Sequence, residues 1–474
     1  MKNRFVALLL TILLAFTAIP AHAFAPPATT ARHLPLLALS TPAYFAATDT
    51  STPAPSTDEF VTLAQRFVTK FSSGDYAGAE AMFDGTMKAT IPESALKSAW
   101  DEIVARYGAF KKQIGASITK VMGYDSVRVR CEFAKGSFDM LLVFSSDKLI
   151  AGMQFVPVQS PVAYKAPSYA KTKSFTEKAV IVGKGKWALH GTLTMPKGKG
   201  PFPAVVLVHG SGANDRDETI GPNKVFKDVA WGLASQGIAV LRYEKRNKEH
   251  AAEFAKIRNY SVKAETTDDA VLAFNVLRSA KGVNKKRVFI LGHSLGGVLA
   301  PRIAKATPKS KGMIIMAGPT RPLEDIVLDQ YKYMFSLTGT ETAQQQEQLN
   351  IIKQSIARIK SKTLTIKTPA SELLGLPASY WLDLRGYNAA KLAAQLHKPM
   401  LVLQGQRDYQ VRMADFKGWQ KYLSRDKRVT FKTYPKLNHL FMEGVGAPNP
   451  DEYMKESHIP VYVINDMARW IKKH

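Results

Sequence analysis

Beyond residue 200 the chain carries the runs PAVVLVHG, IAVLRYE, RVFILGHS, GMIIMAG, PMLVLQG and VTFKTYP, each separated from the next by a segment with helical periodicity. Most of these runs are continuously apolar rather than alternating, as expected for a strand buried on both faces. Strand, helix, strand at this rhythm specifies a parallel sheet with helices on both sides, because parallel neighbours need a long crossover. Just ahead, SFTEKAVIVGKGKWALHGTLTMPK reads as two strands joined by the turn Gly183-Lys184-Gly185, an antiparallel start. The fold class is therefore α/β, with a mostly parallel sheet flanked by helices. Reactive groups in such a sheet collect at the carboxyl ends of its strands.

The remainder of the chain has a different character. Residues 1–23 place Lys2 and Arg4 before an apolar stretch that ends at Pro20 and the small-x-small sequence Ala21-His22-Ala23. That is the pattern of a secretory signal peptide, and it is too short to read well as a retained membrane span. Export to the periplasm or the medium is the expectation, with no stable membrane insertion once the signal is removed. Residues 24–56 are rich in Ala, Pro, Thr and Ser and read as a flexible segment. From 57 to 157 apolar residues recur at helical spacing, as at Phe60, Leu63, Ala64, Phe67, Val68 and Phe71. The period then switches to that of a strand meander, so helices followed by strands make a small α+β domain. Its order is similar to the cone-shaped fold of nuclear transport factor and ketosteroid isomerase, and to a small domain of unknown function found ahead of some exported bacterial hydrolases. An accessory packing or dimerising role follows, which puts a homodimer among the expected assemblies. Residues 158–174 read as a linker and 175–474 as the main domain.

The pentapeptide Gly292-His293-Ser294-Leu295-Gly296 ends one strand and opens the helix LGGVLAPRIAKA. A serine on so sharp a turn needs small neighbours two residues to each side, and the helix start aims backbone N–H groups at it. Its hydroxyl becomes a useful nucleophile only with a base to take the proton. Among the ten histidines, His439 follows the last strand on a short loop, where this topology places a base. His458, near the C-terminal helix, is the competitor; His397 precedes a strand, at the wrong end of the sheet. The base needs a carboxylate to fix its tautomer, and Asp408 follows the preceding strand by one short loop. Asp415 and Asp383 are less direct candidates. The order Ser294, Asp408, His439 is the hydrolase order. His209-Gly210-Ser211-Gly212, after the strand ending at Val208, supplies a glycine-rich loop. The oxyanion hole is assigned to the amides of Ser211 and Leu295.

Taken with LRYEKR, GQRDYQV and NHLF, these segments make residues 175–474 similar to an α/β-hydrolase, resembling bacterial esterases related to serine aminopeptidases and acyl-thioester hydrolases. The resemblance implies hydrolysis of a small-molecule carboxylic ester through an acyl-enzyme, with no metal and no organic cofactor. Amide or thioester cleavage by the same triad is the alternative, and a non-catalytic ligand-binding scaffold is a second. Residues 319–397 form an insertion far longer than an ordinary connection and read as a helical cap over Ser294. Tyr331, Phe335, Tyr380 and Trp381 are its substrate-binding candidates, with Tyr333, Met334 and Leu374 beside them; each can equally serve to pack the cap. Asp215, Asp217 and Glu218 could bind a free amino group, or pair with Arg216.

Lys and Arg number 65 against 39 Asp and Glu, a formal charge of +26. No zinc-finger spacing or RNA-binding signature accompanies that excess, and the cations are spread along the chain, which reads as a solvated surface and not a nucleic-acid partner. Cys131 is the single cysteine, so an internal disulfide is excluded. If the N-terminal reading holds, N-terminal sequencing of the exported protein returns Phe24 as the first residue; an intact Met1 in that fraction contradicts it.

Overall fold

The computed structural model describes residues 59–474 apart from 122–123, 146, 159–163, 338, 340 and 342, so the expected signal peptide and flexible segment lie outside the described residues. The chain divides into two compact units, one before and one after a boundary in the sequence near residue 162.

In the smaller unit, helices Glu59–Ser73, Tyr76–Glu80, Gly85–Thr90 and Glu93–Tyr107 precede the strands Phe110–Val121, Tyr124–Phe133, Gly136–Phe144 and Ile150–Val158. The strands pair antiparallel in sequence order. The short helix Gly85–Thr90 has no clear apolar stripe; Asp84 starts it by accepting the Met87 amide at 2.8 Å. The core is aromatic, with Phe67, Phe71, Phe83, Trp100, Phe133 and Phe138 between helices and sheet. The Phe71 and Trp100 rings meet edge-on at 4.9 Å. Cys131 lies in this core, and burial pushes its thiol up to about 12.

The larger unit is built on an eight-stranded sheet. Numbered within this unit, its strands are β1 Phe175–Val182, β2 Leu189–Pro196, β3 Phe202–Val208, β4 Ala239–Tyr243, β5 Val283–His293, β6 Met313–Met316, β7 Met400–Gly405 and β8 Val429–Tyr434. Their spatial order is β8-β7-β6-β5-β3-β4-β2-β1. Strands β3 to β8 are parallel, whereas β1–β2 and β2–β4 pair antiparallel, as the early Gly-Lys-Gly turn implied. Strands β4, β6 and β7 are buried along their whole length, and β3 and β5 are buried over 204–208 and 288–293, where their apolar runs lie.

The order reverses around β3, which lies between β4 and β5. Gly292 of β5 stands opposite Val208 of β3, so the loops that leave these two strands begin side by side. This is the kind of crevice where a doubly wound sheet gathers its ligands. Residues read as linker belong in part to this unit: the Tyr164 hydroxyl donates to Asp228 at 2.6 Å, and its ring meets Trp231 edge-on. No helix among the described residues is long and apolar enough to cross a membrane.

The insertion between β6 and β7 contains helices Leu323–Ser336, Ala343–Lys360, Ala378–Leu384 and Ala389–Leu396. The last of these packs on Leu295–Ala306 and Met413–Leu423, so it flanks the sheet and does not belong to the cap. An amphipathic stripe looks the same in either setting, which is why the sequence assigned it to the cap. Leu291 is fully buried near the carboxyl end of β5. Leu291→Ala should lower stability by about 2–5 kcal/mol, seen as an earlier melting transition of the larger unit; an unchanged midpoint contradicts this core assignment.

Candidate active site

Ser294 sits at the end of β5 with φ 52° and ψ −117°, a backbone region that a non-glycine residue rarely occupies. The flanking glycines make the turn geometrically accessible. A Cβ on Gly296 would stand 2.1 Å from the Val208 carbonyl oxygen, and one on Gly292 would stand 2.1 Å from that of Gly296. Both distances are far inside van der Waals contact, so the turn tolerates only hydrogen at these positions. Ser294 caps the helix Leu295–Ala306, and its side chain is half-buried while its neighbours are buried. Leu295 is the first helical residue, so its N–H has no carbonyl one turn earlier within the helix.

The loop after β3 lies against this turn. A Cβ built on Gly210 would be 3.2 Å from the Ser294 Cβ. Both backbone groups of Gly210 are held: its N–H donates to Glu218 Oε1 at 2.7 Å, and its carbonyl accepts from Lys245 Nζ at 2.8 Å. Lys245 is buried and faces Glu265 at 3.5 Å. The Gly210 N–H is therefore engaged within the protein.

The loops after β7 and β8 bring Asp408 and His439 together. His439 Nδ1 is 2.7 Å from Asp408 Oδ2, and both side chains are buried. Asp408 Oδ1 accepts from the amides of Gln410 and Val411, each at 2.8 Å, while Oδ2 also accepts from Gln404 Nε2 at 3.0 Å. A carboxylate surrounded by donors in this way leaves the Nδ1 proton on the imidazole and the lone pair on Nε2. Gly405 lets the two loops approach, since a Cβ there would be 2.3 Å from the Leu437 carbonyl oxygen. Asn438 stiffens the His439 loop by accepting from the amides of Leu440 and Met442. The link to the nucleophile turn runs through His293, whose Nε2 donates to the His439 carbonyl at 3.0 Å. The His293 and His439 rings are 4.8 Å apart.

The other candidates are engaged elsewhere. His458 bonds Asp228 at 3.0 Å, and His397 contacts Arg428. Asp415 accepts from Arg321 and from the amides of Thr320 and Arg321; Asp383 accepts from Arg302. The expected pairing of the acidic cluster with Arg216 is corrected: Arg216 Nε donates to Glu244 at 2.6 Å. Asp217 instead pairs with Arg242 and with Lys224. Burial alone would raise the Asp217 carboxyl, but Arg242 and Lys224 bring it below its ordinary value. Asp215 accepts from the Asp217 and Thr219 amides and from the Thr219 hydroxyl. Glu218 points inward to Gly210 and His293, a role the sequence concealed because Arg216 was the nearest cation along the chain.

In the cap, Tyr380 and Trp381 are buried, with the Tyr380 hydroxyl 3.3 Å from Glu265 and Trp381 Nε1 donating to the Leu373 carbonyl at 2.8 Å. Tyr331 is buried beside Phe335. Tyr333 stacks on Tyr409 and donates to the Pro448 carbonyl. The insertion is tied to the helix that Ser294 opens, through Arg302 on Asp383 and through the Tyr387 hydroxyl on the Val298 carbonyl at 2.7 Å.

Residues 200–444 match the family described as serine aminopeptidase, S33, and residues 64–153 match one described as a protein of unknown function, DUF3887. Among curated proteins, Esterase EstD of Thermotoga maritima is 39% identical over 407 residues, which cover 86% of this chain and 94% of the relative. Solved structures align more distantly. An esterase of Pyrococcus furiosus gives a TM-score of 0.43 at 15% identity, covering 67% of this chain and 97% of its own. Est1E from Butyrivibrio proteoclasticus gives 0.38 at 14%, covering 62% and 99%. Gly296→Ala should abolish hydrolysis and lower the melting midpoint, whereas Gly85→Ala, whose methyl meets open space in the smaller unit, should change neither. Equal behaviour of the two variants contradicts the close-approach argument.

Proposed function

The chain belongs to the serine aminopeptidase (S33) family of α/β-hydrolases and is an esterase, and from that premise we propose that Ser294, His439 and Asp408 cleave carboxylic esters through an acyl-enzyme. The observation that carries this reading is the position of His439, held by Asp408 on one side and bonded through its carbonyl to the residue before Ser294 on the other.

In the proposed cycle the Ser294 hydroxyl attacks the ester carbonyl carbon while His439 Nε2 takes its proton. Asp408 stabilises the imidazolium that forms. The negative charge developing on the carbonyl oxygen is met by the N–H groups of Ser211 and Leu295, assisted by the helix that begins there. Collapse of the tetrahedral intermediate expels the alkoxide, which leaves as the alcohol with the proton from His439. A water molecule then repeats the sequence on the acyl-enzyme, giving the carboxylic acid and restoring the serine. Each step balances with the substrate and water alone.

The acyl or alcohol group is taken to lie against the cap side of the site, with Tyr331, Phe335, Tyr380 and Trp381 as the candidates for contact. Engagement of Asp215, Asp217 and Glu218 within the protein argues against an aminopeptidase that would need a carboxylate for a free amine. Export to the periplasm or medium remains part of the proposal on the strength of residues 1–23.

A fluorophosphonate should label Ser294, and Ser294→Ala should lose about 10⁴-fold or more in kcat on short-chain p-nitrophenyl esters. Turnover by Ser294→Ala at the wild-type rate removes the triad reading.

A further inference from the structure

Glu218 and His293 form a buried pair of titratable side chains for which the triad chemistry has no use. We propose that this pair is a positioning brace that sets the spacing between the Gly210–Ser211 turn and the loop carrying His439. The proposal rests on the triad reading above and adds to it two residues that touch no substrate.

The geometry is a continuous chain of bonds across the site. Glu218 Oε1 accepts the Gly210 N–H at 2.7 Å, and Glu218 Oε2 meets His293 Nδ1 at 2.9 Å. His293 Nε2 reaches the His439 carbonyl at 3.0 Å. The loop that follows β3 and the loop that follows β8 are thereby connected through the residue adjacent to Ser294.

Counting protons fixes the character of the brace. A carbonyl oxygen can only accept, so His293 Nε2 carries hydrogen. The opposite nitrogen faces a carboxylate oxygen, and the short contact needs a proton between them. An imidazolium facing a carboxylate satisfies every atom. Burial by itself would lower the imidazole and raise the carboxyl, but the two groups hold each other charged: His293 lies above its ordinary value and Glu218 below. Two charges are kept out of water only where their bonds are specific, which suits a positioning task.

Glu218 is aimed inward by a strained turn. It has φ 48°, its N–H donates to the Asp215 carbonyl at 2.9 Å, and the Asp215 carboxylate holds the amides of Asp217 and Thr219. A non-glycine residue persists in that region only when its surroundings over-determine it. Through its side chain that turn holds the Gly210 amide, next to Ser211, and catalytic donors must be held within about 0.5 Å to act.

The test uses the full chain and p-nitrophenyl acetate. Glu218→Ala and His293→Ala should each lower kcat by about 10²-fold while KM changes less than about threefold, since a misplacement of roughly 1 Å costs that much without touching substrate binding. The double variant should be no slower than the slower single, because either change breaks the same brace. Glu218→Gln should recover most of the alanine loss: its amide oxygen accepts from Gly210 and its NH2 donates to a neutral Nδ1. Glu218→Asp keeps the charge but is too short to reach both partners, so it should stay slow. Independent losses that multiply in the double variant, an effect on KM instead of kcat, or an aspartate variant faster than the glutamine variant overturns the brace. Where an alanine variant gives no cooperative melt, the order of Gln and Asp decides alone. Ser294→Ala is measured in parallel: if it turns over, the triad reading has failed, and if it is inert while the alanine variants run at wild-type rate, only the brace has failed.

Discussion

Two parallel strands that end at the same level force the loops leaving them into one small volume, and the site depends on how closely β3 and β5 allow this. Gly292 opposite Val208 sets the level, and Gly296 packed on the Val208 carbonyl closes the gap. With a methyl at either glycine the helix carrying Leu295 would have to move outward, and its amide would move with it. The acidic and basic loops come from the neighbouring strands β7 and β8, where Gly405 performs the same service against Leu437. Hydrophobic burial holds the sheet together, but hydrogen atoms in place of side chains decide whether its upper edge can act as a site.

The parts legible in the sequence are those where local pattern and chain order coincide. Ser294 stood out because its glycines follow a buried strand and precede a helix; Asp408 and His439 followed from their places after the last two strands. The sheet was legible for a related reason: runs such as AVVLV have no polar face and so cannot lie at a surface. The match of residues 200–444 to one family and 64–153 to another agrees with the separate reading of the two regions.

What escaped the sequence is decided by side-chain direction at turns. Arg216 and Glu218 are two residues apart, yet a positive φ at Glu218 sends its carboxylate into the site while Arg216 turns to Glu244 across the loop. Lys245 gave no hint that it would be buried, because a lysine beside arginines reads as surface until Glu265 and the Gly210 carbonyl are seen around it. Likewise Tyr164 looked like linker, since its anchor Asp228 lies on a distant helix. Each case turns on a partner far away in the chain, which pattern and propensity do not encode.

The single thiol also makes the smaller unit its own reporter. Cys131 faces the aromatic core, and a thiol held near 12 supplies almost no thiolate at neutral pH. Alkylation of this sulfur therefore proceeds through openings of the strand that bears it, and the reaction clocks how often the small domain breathes, with no second cysteine elsewhere to blur the signal.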